Sequence, residues 1–435
     1  MWKSGIVIAL SIVAPLVRAA DAPPATQPAP AAMTQFDPNP HHLWNRLRTA
    51  ILVRTTLTGL LVDDDLFPYL WDHSRYLLEG PSHDAALRVM DEFLATNGEK
   101  LIADPARRLM LQRDLWTVFD WCAWVPDDWV YLKKDEPAAK ALRWRLAKII
   151  QRLALNAREI AALPDNYRAA VQSHSFPSQY DSAQREQPFF PADLFDKDSP
   201  WVCIDLHREH AEAVHDRSIF LVLMQLPGGK QATGEYIQSL AHDPRQFPVG
   251  TKVALLRQAL AIDESGHVVA THMTESLQVR VYREVPQGFD PFDHDHAIRD
   301  AGAWQDCHEF LLNRRDWFQR GHGLRAASPD DVSLIPNFDR RGSDPFEEAM
   351  IASPPHPAPA TAPPRTLRTC IECHQSPGAY SVPSLSLFMY RKKGSEREPI
   401  FPKSVAMAKE QAAQLKSRRP DWMMLQGMLE AYRSP

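Results

Sequence analysis

The sequence predicts an α+β multidomain protein, and three observations carry that expectation. Apolar residues recur at helical spacing from His42 to about Val171, the pattern turns to strand-like runs from about Gln187, and two Pro/Ala-rich tracts punctuate the chain at residues 20–40 and 351–366. At 435 residues the chain exceeds the roughly 100–200 expected of one domain. The resulting division is 1–19 as an export signal, 20–40 as a tether, 41–175 as a helical domain, 176–350 as an α+β domain, 351–366 as a linker and 367–435 as a small, mainly helical C-terminal segment.

Each element has its own signal. Lys3, the largely apolar 13-residue stretch Gly5 to Val17 and the small residues around Val17-Arg18-Ala19 match an export signal, and the run is short for a membrane span. The expected location is therefore the periplasm, with no integral span after signal removal. DAPPATQPAPAAMTQFDPNP cannot bury enough apolar surface to order itself. In LWNRLRTAIL, Leu43, Leu47 and Ile51 repeat every fourth residue; Ser82 and Asp84 precede AALRVMDEFLATNG, which stops at Asn97-Gly98; Pro105 and Pro137 each open a helix. Trp116, Trp121, Trp124 and Trp129 crowd one stretch and are expected as core. SIFLVLMQL, closed by Pro227-Gly228-Gly229, predicts a buried strand, ATGEYIQSLA a helix, KVALLRQALAI and HVVATHM a hairpin across DESG, and SLQVRVYREV a strand with Leu277, Val279 and Val281 on one face. Whether the sheet is a sandwich or a barrel stays open. SPPHPAPATAPPR, residues 353–365, is a stiff connector.

Composition excludes some classes. A net charge of −5 lacks the basic footprint of a general nucleic-acid binder. No G-x-S-x-G element or phosphate-binding glycine loop occurs, so hydrolase and nucleotide chemistry have no support. What remains is Cys370-Ile-Glu-Cys373-His374, the C-x-x-C-H spacing of covalent haem attachment. Two thiols three residues apart reach the two vinyl groups of one porphyrin, and the next residue aims an imidazole at the iron. Zinc would need two more ligands, and no second cysteine pair exists.

Residues 370–374 thus resemble the c-type cytochromes. The resemblance implies one covalent haem c, with thioether links at Cys370 and Cys373 and His374 as axial iron ligand. Pro383-Ser384-Leu385 is similar to the P-x-L of small soluble cytochromes c, which implies that the Pro383 carbonyl holds the ligand imidazole. Pro383 lies slightly closer to the histidine than is usual there. The resemblance covers at most residues 367–435, and a proline connector stands where those cytochromes place a helix, so the segment is expected to complete its pocket against the larger body. A single C-terminal C-x-x-C-H on exported helical and sheet domains resembles large bacterial haem proteins.

The distal iron ligand is open. Met389 is the local candidate; Met407, Met423, Met424 and Met428 also follow His374, and His308, His322 and His356 are further options. Three cysteines remain, allowing one disulfide, for which Cys203 with Cys307 is one pairing; Cys122 reads as a buried thiol. His207, His210 and His215, and Asp293 to His296, hold ligand residue types at no recognised metal spacing. Residues 367–435 carry 11 Lys and Arg against 6 Asp and Glu, so RKKGSER and KSRR could steer an acidic redox partner or dock on the acidic body. Electron transfer is the expected role, with a peroxidase-like enzyme or a haem-based sensor as alternatives.

Overall fold

The computed structural model describes residues 34–55, 61–62, 76–123, 136–204, 218–240, 242–243, 245–285, 304–327, 377–382, 385 and 400–433. Over these residues the chain is mixed α+β, with helices at both ends and a seven-stranded antiparallel sheet between them.

The first helix, α1 (Leu43–Leu52), opens where the His42 ring accepts the Trp44 N–H. A strand pair, β1 (Arg54–Thr55) and β2 (Leu61–Val62), follows it. The helix expected after Ser82 and Asp84 begins two residues before Ser82: α2 (Gly80–Ala95) starts at Gly80 with Pro81 in its first turn, where a missing N–H costs nothing. It ends before Asn97, whose left-handed backbone (φ 53°) breaks the helix. There the Trp44 indole donates to the Gly98 carbonyl at 2.7 Å, and a Cβ on Gly98 would strike the Phe93 ring.

Pro105 and Pro137 open α3 (Pro105–Ala123) and α4 (Pro137–Arg152) as expected. Two short helices, α5 (Ala157–Ala161) and α6 (Asn166–Ser173), finish the helical region. Trp116 and Trp121 are buried in the core; Trp124 and Trp129 lie outside the described residues. Nearly every residue of α3 is buried, including Gln112, Arg113, Asp114 and Asp120. Sequence alone gave no sign that these polar side chains turn inward. A buried charge is tolerated only when paired, and each of these groups finds its partner on another element.

The sheet strands are β3 (Val202–Ile204), β4 (Ser218–Gln225), β5 (Lys252–Ile262), β6 (Val268–Tyr282), β7 (Gln305–Leu312), β8 (Leu324–Ala326) and β9 (Pro402–Lys403). Helix α7 (Gly229–Ser239) joins β4 to β5, and α8 (Arg314–Arg320) joins β7 to β8. The order β8-β7-β6-β5-β4-β3-β9 is a meander to which the chain returns late, pairing Lys403 with Cys203 at the edge. Pro402 is compatible with that outermost place, where a missing donor leaves no ladder bond unmade. The sheet is open, with β8 and β9 at its edges. HVVATHM and SLQVRVYREV are one strand, because irregular register near Arg257 and Gln258 lets β6 run through both.

Side chains alternate across the sheet. On the first face Ile219, Leu221, Leu223, Ala254, Leu256, Leu277, Val279, Val281 and Phe310 join a core that runs through α1 to α4 and ends on two C-terminal helices, α9 (Val405–Ser417) and α10 (Pro420–Arg433). On the second face Val202, Ile204, Phe220, Val222, Met224, Val253, Leu255 and Tyr282 pack with Tyr236, Ile237 and Leu240 around α7 and with Ala379, Val382, Leu385 and Ile400. Cover on both faces explains why SIFLVLMQL is apolar without alternation.

Candidate functional site

Cys370, Cys373, His374, Pro383 and Met389 lie outside the described residues, as do His356 and the groups at 207–215 and 293–296. The chain just beyond the C-x-x-C-H motif is described, and it is anchored. Pro377 stands three residues after His374, so their Cα atoms are at most about 11 Å apart along the chain.

From Pro377 the chain makes a tight turn over Gly378–Ser381. Gly378 has φ +59°, a conformation that favours glycine, and a Cβ there would collide with the Gln246 carboxamide. Gln246, in the connection between α7 and β5, accepts the Ala379 N–H at 2.8 Å and turns its own NH2 toward the Pro377 carbonyl at 3.4 Å. Ser381 closes the turn by donating to the Gly378 carbonyl at 2.8 Å, and its oxygen meets the Tyr282 hydroxyl at 2.5 Å. Ala379, Val382 and Leu385 are buried against the second face beside Phe247 and Val285. Burial raises the Tyr282 pKa, keeping the phenol neutral.

The possible distal ligands separate by face. Met424 and Met428 of α10 pack against the first-face core, while Met407 on α9 and Met423 on α10 are exposed. His308 pairs with Val279 in the ladder and shares the first face with it. His322 follows α8 near the β8 edge. The sheet therefore separates His308 and the first-face core beneath α9 and α10 from the docked turn. Met224 is the described methionine within the second-face core, and only the strand register reveals its place there.

Cys203 and Cys307 do not form a disulfide with each other, and neither they nor the buried Cys122 are disulfide-bonded. The first two stand on β3 and β7, four strand spacings apart, about 19 Å at 4.8 Å per strand, where a bridge needs Cα atoms within about 7 Å. Burial pushes the Cys122 and Cys307 thiols up to about 12, which makes them poor nucleophiles.

Polar groups under the first face are structural ties. Asp114 bridges Arg48 and Arg314, Arg113 reaches Glu275 and Ser218, and Gln112 receives the Ile262 N–H at 2.9 Å. Lys416, the first residue of KSRR, is buried and pairs with Asp120 at 2.8 Å and Asp421 at 3.4 Å; Arg419 also turns to Asp421. Two of the three cations in KSRR are thus committed internally, while RKKGSER lies outside the described residues. Burial works to raise the Asp421 pKa, but Lys416 and Arg419 outweigh it and hold the carboxyl well below the usual range.

At the start of β7, Asp306 accepts from Tyr180, Arg185 and Arg283. Burial again opposes, and these donors still leave Asp306 below its ordinary value. His308, under Tyr180 and Phe189, is 5% exposed, and its Nε2 has no hydrogen-bond partner. Burial lowers its pKa, against the attraction of Asp306 and Glu186.

Among the described residues, no group of three or more His, Cys, Asp or Glu is arranged to hold a metal ion. No described helix is long and apolar enough to cross a membrane. The donor set of the motif, two thiols and an imidazole, fits haem c, and the chain from Pro377 onward is held against the buried second face of the sheet. Compared with known proteins, the chain matches no family model, no curated sequence and no solved structure.

Proposed function

We propose that this chain is an exported, periplasmic monohaem c-type cytochrome that transfers electrons. Cys370 and Cys373 would carry the thioether links, His374 would ligate the iron, and the Pro383 carbonyl would orient the imidazole. Met389 is the proposed distal ligand. Bound haem supplies a one-electron couple whose potential the axial ligands and surroundings tune. The reading divides the chain into a helical region (41–175), a sheet region (176–350) and a haem segment (367–435). The last packs on both others: its turn after Pro377 lies on the second face of the sheet, and its helices α9 and α10 lie on the first face and on α3 and α4.

The observation that carries the proposal is the Cys370-x-x-Cys373-His374 spacing. It is supported by the anchoring of residues 377–382 and of Leu385, a few positions beyond the motif, on a buried face of the sheet. The partner would be a redox protein, and the basic residues 391–397 would favour an acidic one.

The test is maturation in a host equipped for cytochrome assembly. Wild type is expected to carry covalent pigment, and Cys370→Ala with Cys373→Ala to lose it. Six-coordinate, low-spin iron that ignores carbon monoxide when reduced supports electron transfer. High-spin iron that binds carbon monoxide readily contradicts it and points to the enzyme or sensor class.

A further inference from the structure

We infer that residues 178–189 form an acid-released flap: when His308 takes up a proton, the flap loosens from β7 while the sheet beneath it stays closed. The inference is independent of the haem reading.

The flap lies in the long connection between α6 and β3, which has no helix or strand of its own. Its ends meet, because the Phe190 N–H donates to the Pro177 carbonyl at 2.8 Å, and the residues between form an Ω-loop. Aromatic packing holds the base. Phe190 meets Phe310 at 4.9 Å and Tyr167 at 5.3 Å, and Phe176 meets Phe310 edge-on at 4.8 Å. The tip, residues 181–187, is exposed throughout. Between base and tip the loop touches β7 at two places. Tyr180 and Arg185 hold Asp306, and the Tyr180 and Phe189 rings close over His308, the next side chain on the same face. Such a loop can lift without the sheet, since it contributes no strand to it.

The contact over His308 suits a neutral ring. His308 is 5% exposed, and its Nε2 has no hydrogen-bond partner. In the imidazolium both ring nitrogens carry protons, so Nε2 becomes a buried donor with nothing to receive it. Asp306 is already engaged at both oxygens, by Tyr180 and Arg185 of the loop and Arg283 of β6, whose charges offset its own. Glu186 attracts the proton from the tip; Lys252 of β5 adds a cation against the Phe189 ring at 5.8 Å. On β6 the ladder neighbour of His308 is the uncharged Val279. Burial outweighs the pull of Asp306 and Glu186 and lowers the His308 pKa. The open loop therefore binds the proton more readily than the closed one. Opening grows as pH falls below about 6.5, the value of a free imidazole, and levels off once the closed form is protonated too. Asp306, held below its ordinary value, and Tyr180, pushed up to about 12, keep their charge states through that window.

The experiment measures tryptic cleavage after Arg185 in full-length wild type and His308→Gln. Each rate is divided by that of a free peptide of residues 178–189 at the same pH, which removes the protease's own pH dependence. For wild type the normalised rate is expected to rise at least about threefold from pH 7.5 to 5.5, with hydrogen-exchange protection in the β4–β5 ladder unchanged. His308→Gln, neutral at both pH values, should show no rise. A flat wild-type rate overturns the inference, as does an equal rise in His308→Gln. Loss of ladder protection by the same factor also overturns it, because the opening is then global. Should His308→Gln fail to fold, the wild-type ring titration followed by NMR decides. A midpoint below that of a histidine peptide, tracked by the Tyr180 and Phe189 resonances, is expected; a midpoint at or above it overturns the flap.

Discussion

The two faces of the sheet are closed by different physics. The first face lies under helices from both ends of the chain and is tied by buried ion pairs, Lys416 to Asp120 and Arg113 to Glu275 among them. The second is covered by α7 and the short turn after the C-x-x-C-H motif, held by neutral hydrogen bonds from Gln246 and Tyr282. Breaking a buried ion pair strands a charge and costs several kcal/mol, whereas a neutral hydrogen bond contributes about 1 kcal/mol. The first face is thus a scaffold, and on the second the turn after the C-x-x-C-H motif is seated by modest forces.

The sharpest way to break this contrast is to strike each face with one substitution. Lys416→Ala leaves Asp120 and Asp421 without their shared cation and is expected to lower stability by about 3–5 kcal/mol, read by urea unfolding. Leu385→Ala on the second face removes a fully buried side chain and should cost about 2–5 kcal/mol. Its particular mark is faster proteolysis near residues 377–385, a site that Lys416→Ala should not sensitise before global unfolding. Tyr282→Phe deletes the hydroxyl's bonds to Ser381 and to the Arg280 side chain and should cost about 1–3 kcal/mol. Equal proteolytic patterns from the two larger variants would contradict the distinction between scaffold and seat.

Acidity sharpens it further. Asp421 has a depressed folded pKa, so its contribution is present above the unfolded carboxylate value of about 3.9 and is lost as pH falls through that lower folded pKa. His308 works in a milder range. Its folded pKa lies below 6.5, so the unfolded chain binds the extra proton first, and stability declines as pH drops below about 6.5. His308→Gln should flatten the thermal stability of the protein between pH 7 and 5, and an unchanged slope would show that other groups set it.

Much of the fold was legible because its signals are local. Pro105 and Pro137 mark helix starts, Asn97 a stop, and DESG a hairpin, each through the backbone angles those residues favour. What escaped reading depends on contacts distant in sequence. Arg113, Asp114 and Asp120 look like ordinary surface charges of an exposed helix until strands and C-terminal helices close around them. Cys203 and Cys307 look like a possible pair until the meander sets them four strands apart. The C-x-x-C-H motif is legible in five residues, but the hold of Gln246 on the turn after it is not, because a lone glutamine gains meaning only when the chain returns to it.

The central claim is that haem is covalently held through Cys370 and Cys373. It is tested most directly by the visible spectrum of protein matured in a cytochrome-assembling host, then denatured and extracted with acidified acetone. Pigment that stays with the polypeptide in wild type, and is missing after Cys370→Ala with Cys373→Ala, is the predicted result. A wild-type chain that emerges colourless, or surrenders its pigment to the solvent, contradicts the account.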